Sequence, residues 1–297
     1  HVRSRRQRQM CIRDRDISVG SVMALVASCC CTSLVGYGVS SASAVKHPII
    51  FGVLFGILIG GICGCFNGFM VSKLKVQPMV ATLVLYTAAR AIGLVVSNNQ
   101  ITYVRVKEYK YLGNFWHIGN WECPIPTPIF VAIICVILAT ILLKKTALGM
   151  YIQAVGINPK AARIMGINSA LIIFICYVIC GLGAGVAGTV ASSRIYSADS
   201  NNIGLNFEMD AILAVALGGN SLAGGKFSLA GSIIGAYTIQ ALSTTLLAFG
   251  VKTEQAPVIK AIVIIIIVAI QAPAIQSYIK NRKARKASAT GGEAVAK

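Results

Sequence analysis

Residues 49–72 read IIFGVLFGILIGGICGCFNGFMVS, a stretch of twenty-four residues without one charge. A helix needs about 20 apolar residues to cross a bilayer core. Comparable runs cover 17–39, 49–72, 78–96, 126–143, 169–192, 228–250 and 258–276. A shorter run, 211–217, follows Asp210 and is too short to cross alone. Composition points the same way. The chain is 56% hydrophobic and 12% charged, against about 25% charged in soluble domains. In lipid every backbone polar group must be satisfied internally. The expected fold is therefore all-α: a polytopic transmembrane helix bundle in a lipid bilayer, with broken helices where short runs and glycine loops interrupt it.

The net charge of +18 raises the question of nucleic acid. Its placement answers it. With residues 277–297 as a basic cytoplasmic tail and the spans alternating, the loops 73–77, 144–168 and 218–227 lie inside. They and the tail carry about twice as many Lys and Arg residues as the outside loops, as the positive-inside rule requires. For the alternation to close, 208–218 must cross as a short or broken segment. The charge is topological, and nucleic-acid binding is excluded. Most of the ten cysteines sit inside apolar runs and form no CxxC pair. They behave as small hydrophobes. No His or carboxylate stands at ligand spacing beside them, so neither a metal nor a cofactor is expected.

Residues 1–15, HVRSRRQRQMCIRDR, hold six arginines and begin without Met. They join an apolar span abruptly at Asp16. The expectation is a non-native or truncated segment with at least one helix missing upstream. The organisation is then 1–15, a membrane domain over 16–276, and the tail 277–297.

Gly52, Gly56, Gly60, Gly64 and Gly68 recur every fourth residue and lie on one helix face. In membranes small residues allow close backbone approach and supply packing that the hydrophobic effect does not. This row predicts a tight helix–helix seam, and Gly181 with Gly185, and Gly231 with Gly235, repeat the device. Loop 97–125 holds Tyr103, Tyr109, Tyr111, Trp116 and Trp121, which predicts an external cap at headgroup level.

Within 144–168, Asn158 suits a helix N-cap, Pro159 the first helical position, and Gly166 a left-handed end. A two-turn helix over 159–165 follows, carrying Lys160, Ala161, Ala162 and Arg163. A short rigid helix on the basic side can dock in another protein's groove or serve as a plain connector. Polar groups inside spans are costly and mark function by default. They are Asn67, Arg90, Asp210, Gln240, Thr244, Thr245 and Gln271, with Asp16 and Ser18 at the start of the first span. Interhelical hydrogen bonding is the plainer role for Asn67, Gln240 and the threonines. Asp16, Ser18, Asn67 and Asp210 are the candidates for a polar pathway.

Residues 218–228, GGNSLAGGKFS, nearly spell a phosphate-binding P-loop. Aligning Gly225 and Lys226 with the motif puts Asn220 at its first glycine and Phe227 at its metal-binding hydroxyl. Phe227 cannot bind Mg²⁺, and the flanks are membrane segments. The loop binds no nucleotide. Gly218, Gly219, Gly224 and Gly225 instead permit a sharp turn near the membrane.

Three stretches carry a family resemblance: LGGNSLAGGKFSLAGSIIGA, DISVGSVMAL and AVGINPKAARIMGI. Together they resemble the permease subunits of ribose-type sugar ABC importers from Asp16 to about Gln276. NFEMDAILAVALGG with GSIIGAYTIQAL leans towards the galactofuranose-type subgroup. Such subunits have about ten spans, two or so more than the segments found here. The resemblance implies a non-enzymatic pore that works as a homo- or heterodimer. A cytoplasmic ABC ATPase drives it, and an extracytoplasmic sugar-binding protein feeds it. It implies that 158–166 couples to the ATPase and that the substrate is a monosaccharide. Rival readings are a nucleoside or branched-chain amino-acid permease of related architecture, and a secondary transporter, for which the chain has few intramembrane acids.

Overall fold

The structure, a computed structural model, describes residues 16–37, 41–42, 48–118, 121–220, 228–251, 255 and 257–262. Residues 1–15, the tail 277–297, Gln271 and the glycines 224 and 225 lie outside the described residues.

The apolar runs become helices: α1 Val19–Val35, α2 Ile49–Ser72, α3 Pro78–Val96, α5 Thr127–Lys144, α8 Ser169–Ile195 and α10 Leu229–Ala248. Between them stand α4 Lys107–Gly113, α6 Ala147–Ile157, α7 Pro159–Ile164 and α9 Phe207–Leu217. Helices α2, α3, α5 and α8 are long and apolar enough to cross a membrane. The chain is an all-helical polytopic bundle. Among the described residues five short strands decorate its connections. Strand β2 (Thr102–Val104) pairs parallel with β1 (Ser41–Ala42) and antiparallel with β5 (Ser197–Ala198). Strands β3 (Phe115–Ile118) and β4 (Trp121–Pro126) form an antiparallel pair.

Sequence and structure differ at three places. The first span, expected over 17–39, ends at Val35 because Gly36 takes φ 104° and caps the carbonyl of Thr32. The segment read as a loop with one helix holds two, since α6 precedes α7. The short run 211–217 starts earlier, at Phe207.

The chain divides into two compact units: His1–Met209 with Ala223–Gly225, and Asp210–Leu222 with Lys226–Lys297. In the first, α1 is buried all round, with only Val19 and Ser33 of its seventeen residues not fully buried. A helix apolar on every face belongs in the middle of a bundle. Helices α2, α3 and α8 surround it, and α2 lies along α8. Helix α5 buries none of its residues. The connection between α3 and α5 is pinned into this core by Tyr109 of α4, which is fully buried. Its hydroxyl meets Ser192 Oγ at 2.6 Å and the thiols of Cys30 and Cys31 at 3.7 and 3.8 Å. In the second unit, α10 packs against the end of α9, where the backbones at Gly218 and Gly231, and at Ala214 and Gly235, touch.

Candidate functional site

Three of the four pathway candidates meet at the foot of α1. Asp16 Oδ1 accepts from Ser18 N at 2.9 Å and from Ser18 Oγ at 2.6 Å. Asn67 of α2 donates through Nδ2 to Ser18 Oγ at 3.1 Å. Cys180 of α8 places its thiol against the Asp16 carboxyl. Asn67 is 1% exposed, and its Oδ1 has no hydrogen-bond partner among the described residues. These groups line a narrow crevice, too tight to admit a water molecule, together with Cys63, Leu85 and Ala184. A carboxylate, a hydroxyl and an unmet amide oxygen thus converge between α1, α2, α3 and α8. Buried acceptors left unmet cost about 1–3 kcal/mol each, so such a cluster favours a ligand rich in hydroxyl donors. Asp210 lies in the second unit and is tied to Lys260 at 2.6 Å, with those side chains 28% and 16% exposed.

Beside this crevice runs an irregular segment. After β5 the chain makes successive turns over 199–206. Ser200 meets Ser28 Oγ at 2.5 Å, and further along the backbone of Gly204 lies against that of Gly20. Eight residues of helix separate Ser28 from Gly20, so the segment descends about 12 Å along α1. Ile203 is buried against the core, and Glu208 just beyond is buried at 4% exposure. Non-helical backbone at membrane depth persists only inside protein or along a cavity. Arg90 of α3 answers part of that demand, since its Nη1 donates to the carbonyls of Ser200 and Asn201 at 3.1 and 2.5 Å.

The glycine row faces α8. A Cβ on Gly60 would stand 2.5 Å from the Gly181 carbonyl oxygen and 2.9 Å from Gly185 Cα. One on Gly64 would stand 2.5 Å from the Tyr177 oxygen. Gly68 faces Phe174, Gly56 faces Thr189 and Val26, and Gly52 faces Leu34 of α1.

Helix α7 starts with Asn158, whose side chain accepts from Lys160 N at 3.1 Å and Ala161 N at 3.3 Å. Pro159 opens the helix, and Gly166 follows it at φ 84°. Ala162 is buried, while Lys160 and Arg163 are exposed. Ile164 and Met165 are 87% and 69% exposed, so basic and apolar groups share one protruding turn. Ser169 Oγ ties the helix back through the Pro159 carbonyl at 2.9 Å. In the second unit Gly219 takes φ 75° after α9. Asn220 then braces the turn, donating to Ser232 Oγ at 2.8 Å and accepting from Ser228 N at 2.5 Å. Gln240 and Thr244 bond to each other on α10.

Residues 11–268 match the family described as "Branched-chain amino acid transport system / permease component". The chain belongs to this permease family. It is a multi-pass membrane transport subunit and not an enzyme. The permease is 38% identical to the galactofuranose transporter permease protein YtfT of Escherichia coli, covering 91% of this chain and 75% of that one. It is 38% identical to the fructose import permease protein FruF of Bifidobacterium longum, covering 95% and 76%. It is 36% identical to the ribose import permease protein RbsC of Escherichia coli, covering 85% and 75%. No solved structure matches it.

Sequence reasoning missed four residues of the permease. Lys260 sat unremarked in the run 258–276, although a lone intramembrane cation calls for an acid such as Asp210. Glu208 was hidden at the edge of a short apolar run. Cys180 carries no signal for its place beside Asp16. Ser200 carries no signal in a polar stretch.

Proposed function

We propose that this permease forms the translocation pathway of an ABC importer for a monosaccharide. An extracytoplasmic binding protein delivers the sugar, and a separate ATPase supplies the energy. The supporting observation is that three sugar-import permeases align across 85–95% of the chain. The family match over residues 11–268 takes in the crevice at the foot of α1 and helix α7. Asp16, Ser18 and Asn67 line the path, where their acceptors meet sugar hydroxyls. The segment 158–166, helix α7 with its flanking caps, docks on the ATPase through Lys160, Arg163 and the exposed Ile164 and Met165. The 218–228 loop is structural. A second copy of the chain or a related permease completes the pore.

The family description favours a second substrate class, the branched-chain amino acids. One experiment separates the two. The permease is expressed with its ATPase and binding protein in cells lacking their own importers. Uptake of labelled ribose, fructose, galactose and leucine is then measured. ATP-dependent uptake of a sugar supports the proposal. Uptake of leucine with none of a sugar rejects it.

A further inference from the structure

Arg90 sits in α3 six residues before its end, about 9 Å inside the helix. Its guanidinium lies over the ring of Tyr86, 5.7 Å from the centroid. Nη1 is spent on the carbonyls of Ser200 and Asn201. Nε and Nη2 are shielded from solvent and have no hydrogen-bond partner among the described residues. Those two atoms form the side-on fork of the guanidinium, the edge that grips a pair of oxygens at once. Arginine cannot shed its charge to relieve the deficit, and a buried donor without an acceptor bears its full desolvation cost. The residue is thus anchored at one corner and unmet along its most selective edge. Its neighbour 199–206 is held by side-chain bonds and turns in place of a helical ladder.

We propose that the Nε–Nη2 edge of Arg90 binds two adjacent hydroxyl oxygens of the transported sugar, reached when segment 199–206 moves aside. This rests on the sugar-import reading above and names the chemistry that the path selects, a vicinal diol. Two parallel N–H···O bonds match such a pair, whereas one ammonium cannot.

The test uses the full permease with its ATPase and binding protein, and the probe is whichever of ribose, fructose and galactose the wild type imports. Uptake of that sugar is compared with uptake of its deoxy analogue lacking one of two adjacent hydroxyls, for wild type and Arg90→Lys. Lysine keeps the charge and can hold one carbonyl but has no fork. The wild type is expected to prefer the diol by about tenfold, the worth of one hydrogen bond to a charged group. Arg90→Lys is expected to bring that ratio close to one. An unchanged ratio in the variant overturns the Arg90 assignment and leaves the import reading standing. Wild-type uptake of none of the sugars overturns both. If Arg90→Lys does not reach the membrane, the wild type is treated with phenylglyoxal during turnover, and modification of Arg90 is read by mass spectrometry. Protection by the imported sugar but not by its deoxy analogue supports the assignment, and equal modification overturns it.

Discussion

Replacing Gly60 by alanine tests the seam between α2 and α8 by the sign of its effect. In an isolated helix the change stabilises by about 1 kcal/mol, because alanine loses less entropy on folding than glycine. At Gly60 the new methyl would stand 2.5 Å from the carbonyl oxygen of Gly181 and 2.9 Å from Gly185 Cα. Ordinary contact begins near roughly 3.5 Å, so the helices must part by about 1 Å at this level. Both obstructing groups are backbone, and neither can turn away. Overpacking of this kind costs about 3 kcal/mol at the upper end of its range. The net effect is a loss of about 2 kcal/mol, on the order of thirtyfold in the folded-to-unfolded ratio. Gly183, on the opposing helix, has open space where its Cβ would go. Gly183→Ala should therefore be neutral or stabilising. The assay is thermal unfolding of each full-length variant in detergent, with Gly60→Leu as the more severe form. If Gly60→Ala and Gly183→Ala shift the midpoint in the same direction, the close approach of α2 and α8 is not what holds this part of the bundle.

Further outcomes are expected at the other sites. Arg163→Glu reverses the charge exposed on α7 and should abolish uptake while leaving membrane insertion intact; retained uptake with the ATPase still co-purifying would reject docking through this helix. Asn158→Ala removes the acceptor for Lys160 N and Ala161 N and should cost about 1 kcal/mol, read as faster hydrogen exchange at those two amides. Asp210→Asn or Lys260→Met alone strands a largely buried charge and should destabilise by about 3 kcal/mol. The double variant should recover most of that loss, and additive losses would mean the pair is not coupled.

The apolar runs made α2 and α3 readable to the residue, because Pro48 and Pro78 mark their starts. The seam was readable too, since a four-residue glycine period has a direct geometric meaning. Helix α7 was readable from its cap and its proline. What could not be read was placement. The segment YSADSNNIGLN, residues 196–206, has the composition of a wet surface turn, yet Ser200 and Ile203 are buried against α1. Local propensity points outward there, and contacts from residues more than a hundred positions away decide the matter. Helix α6 was obscured by Lys144 and Lys145, which made its start look like loop. Asp16, Ser18 and Asn67 were picked out singly by their cost in lipid. Their meeting depends on how α1 and α2 cross, which no spacing in the sequence encodes.

The irregular stretch 199–206 also bears on how the protein is made. A helix can enter the bilayer alone, because its backbone bonds are internal. This stretch cannot, since the carbonyls of Ser200 and Asn201 are met by Arg90 of α3, and Gly204 rests on Gly20 of α1. Those helices precede it in the chain and must already be assembled when it arrives. Biogenesis is therefore ordered: α1, α2, α3 and α8 associate first, and 199–206 settles among them afterwards. A ribosome-bound chain arrested just after residue 206 should leave this stretch open to water-soluble thiol reagents at an engineered cysteine, and release to full length should close it.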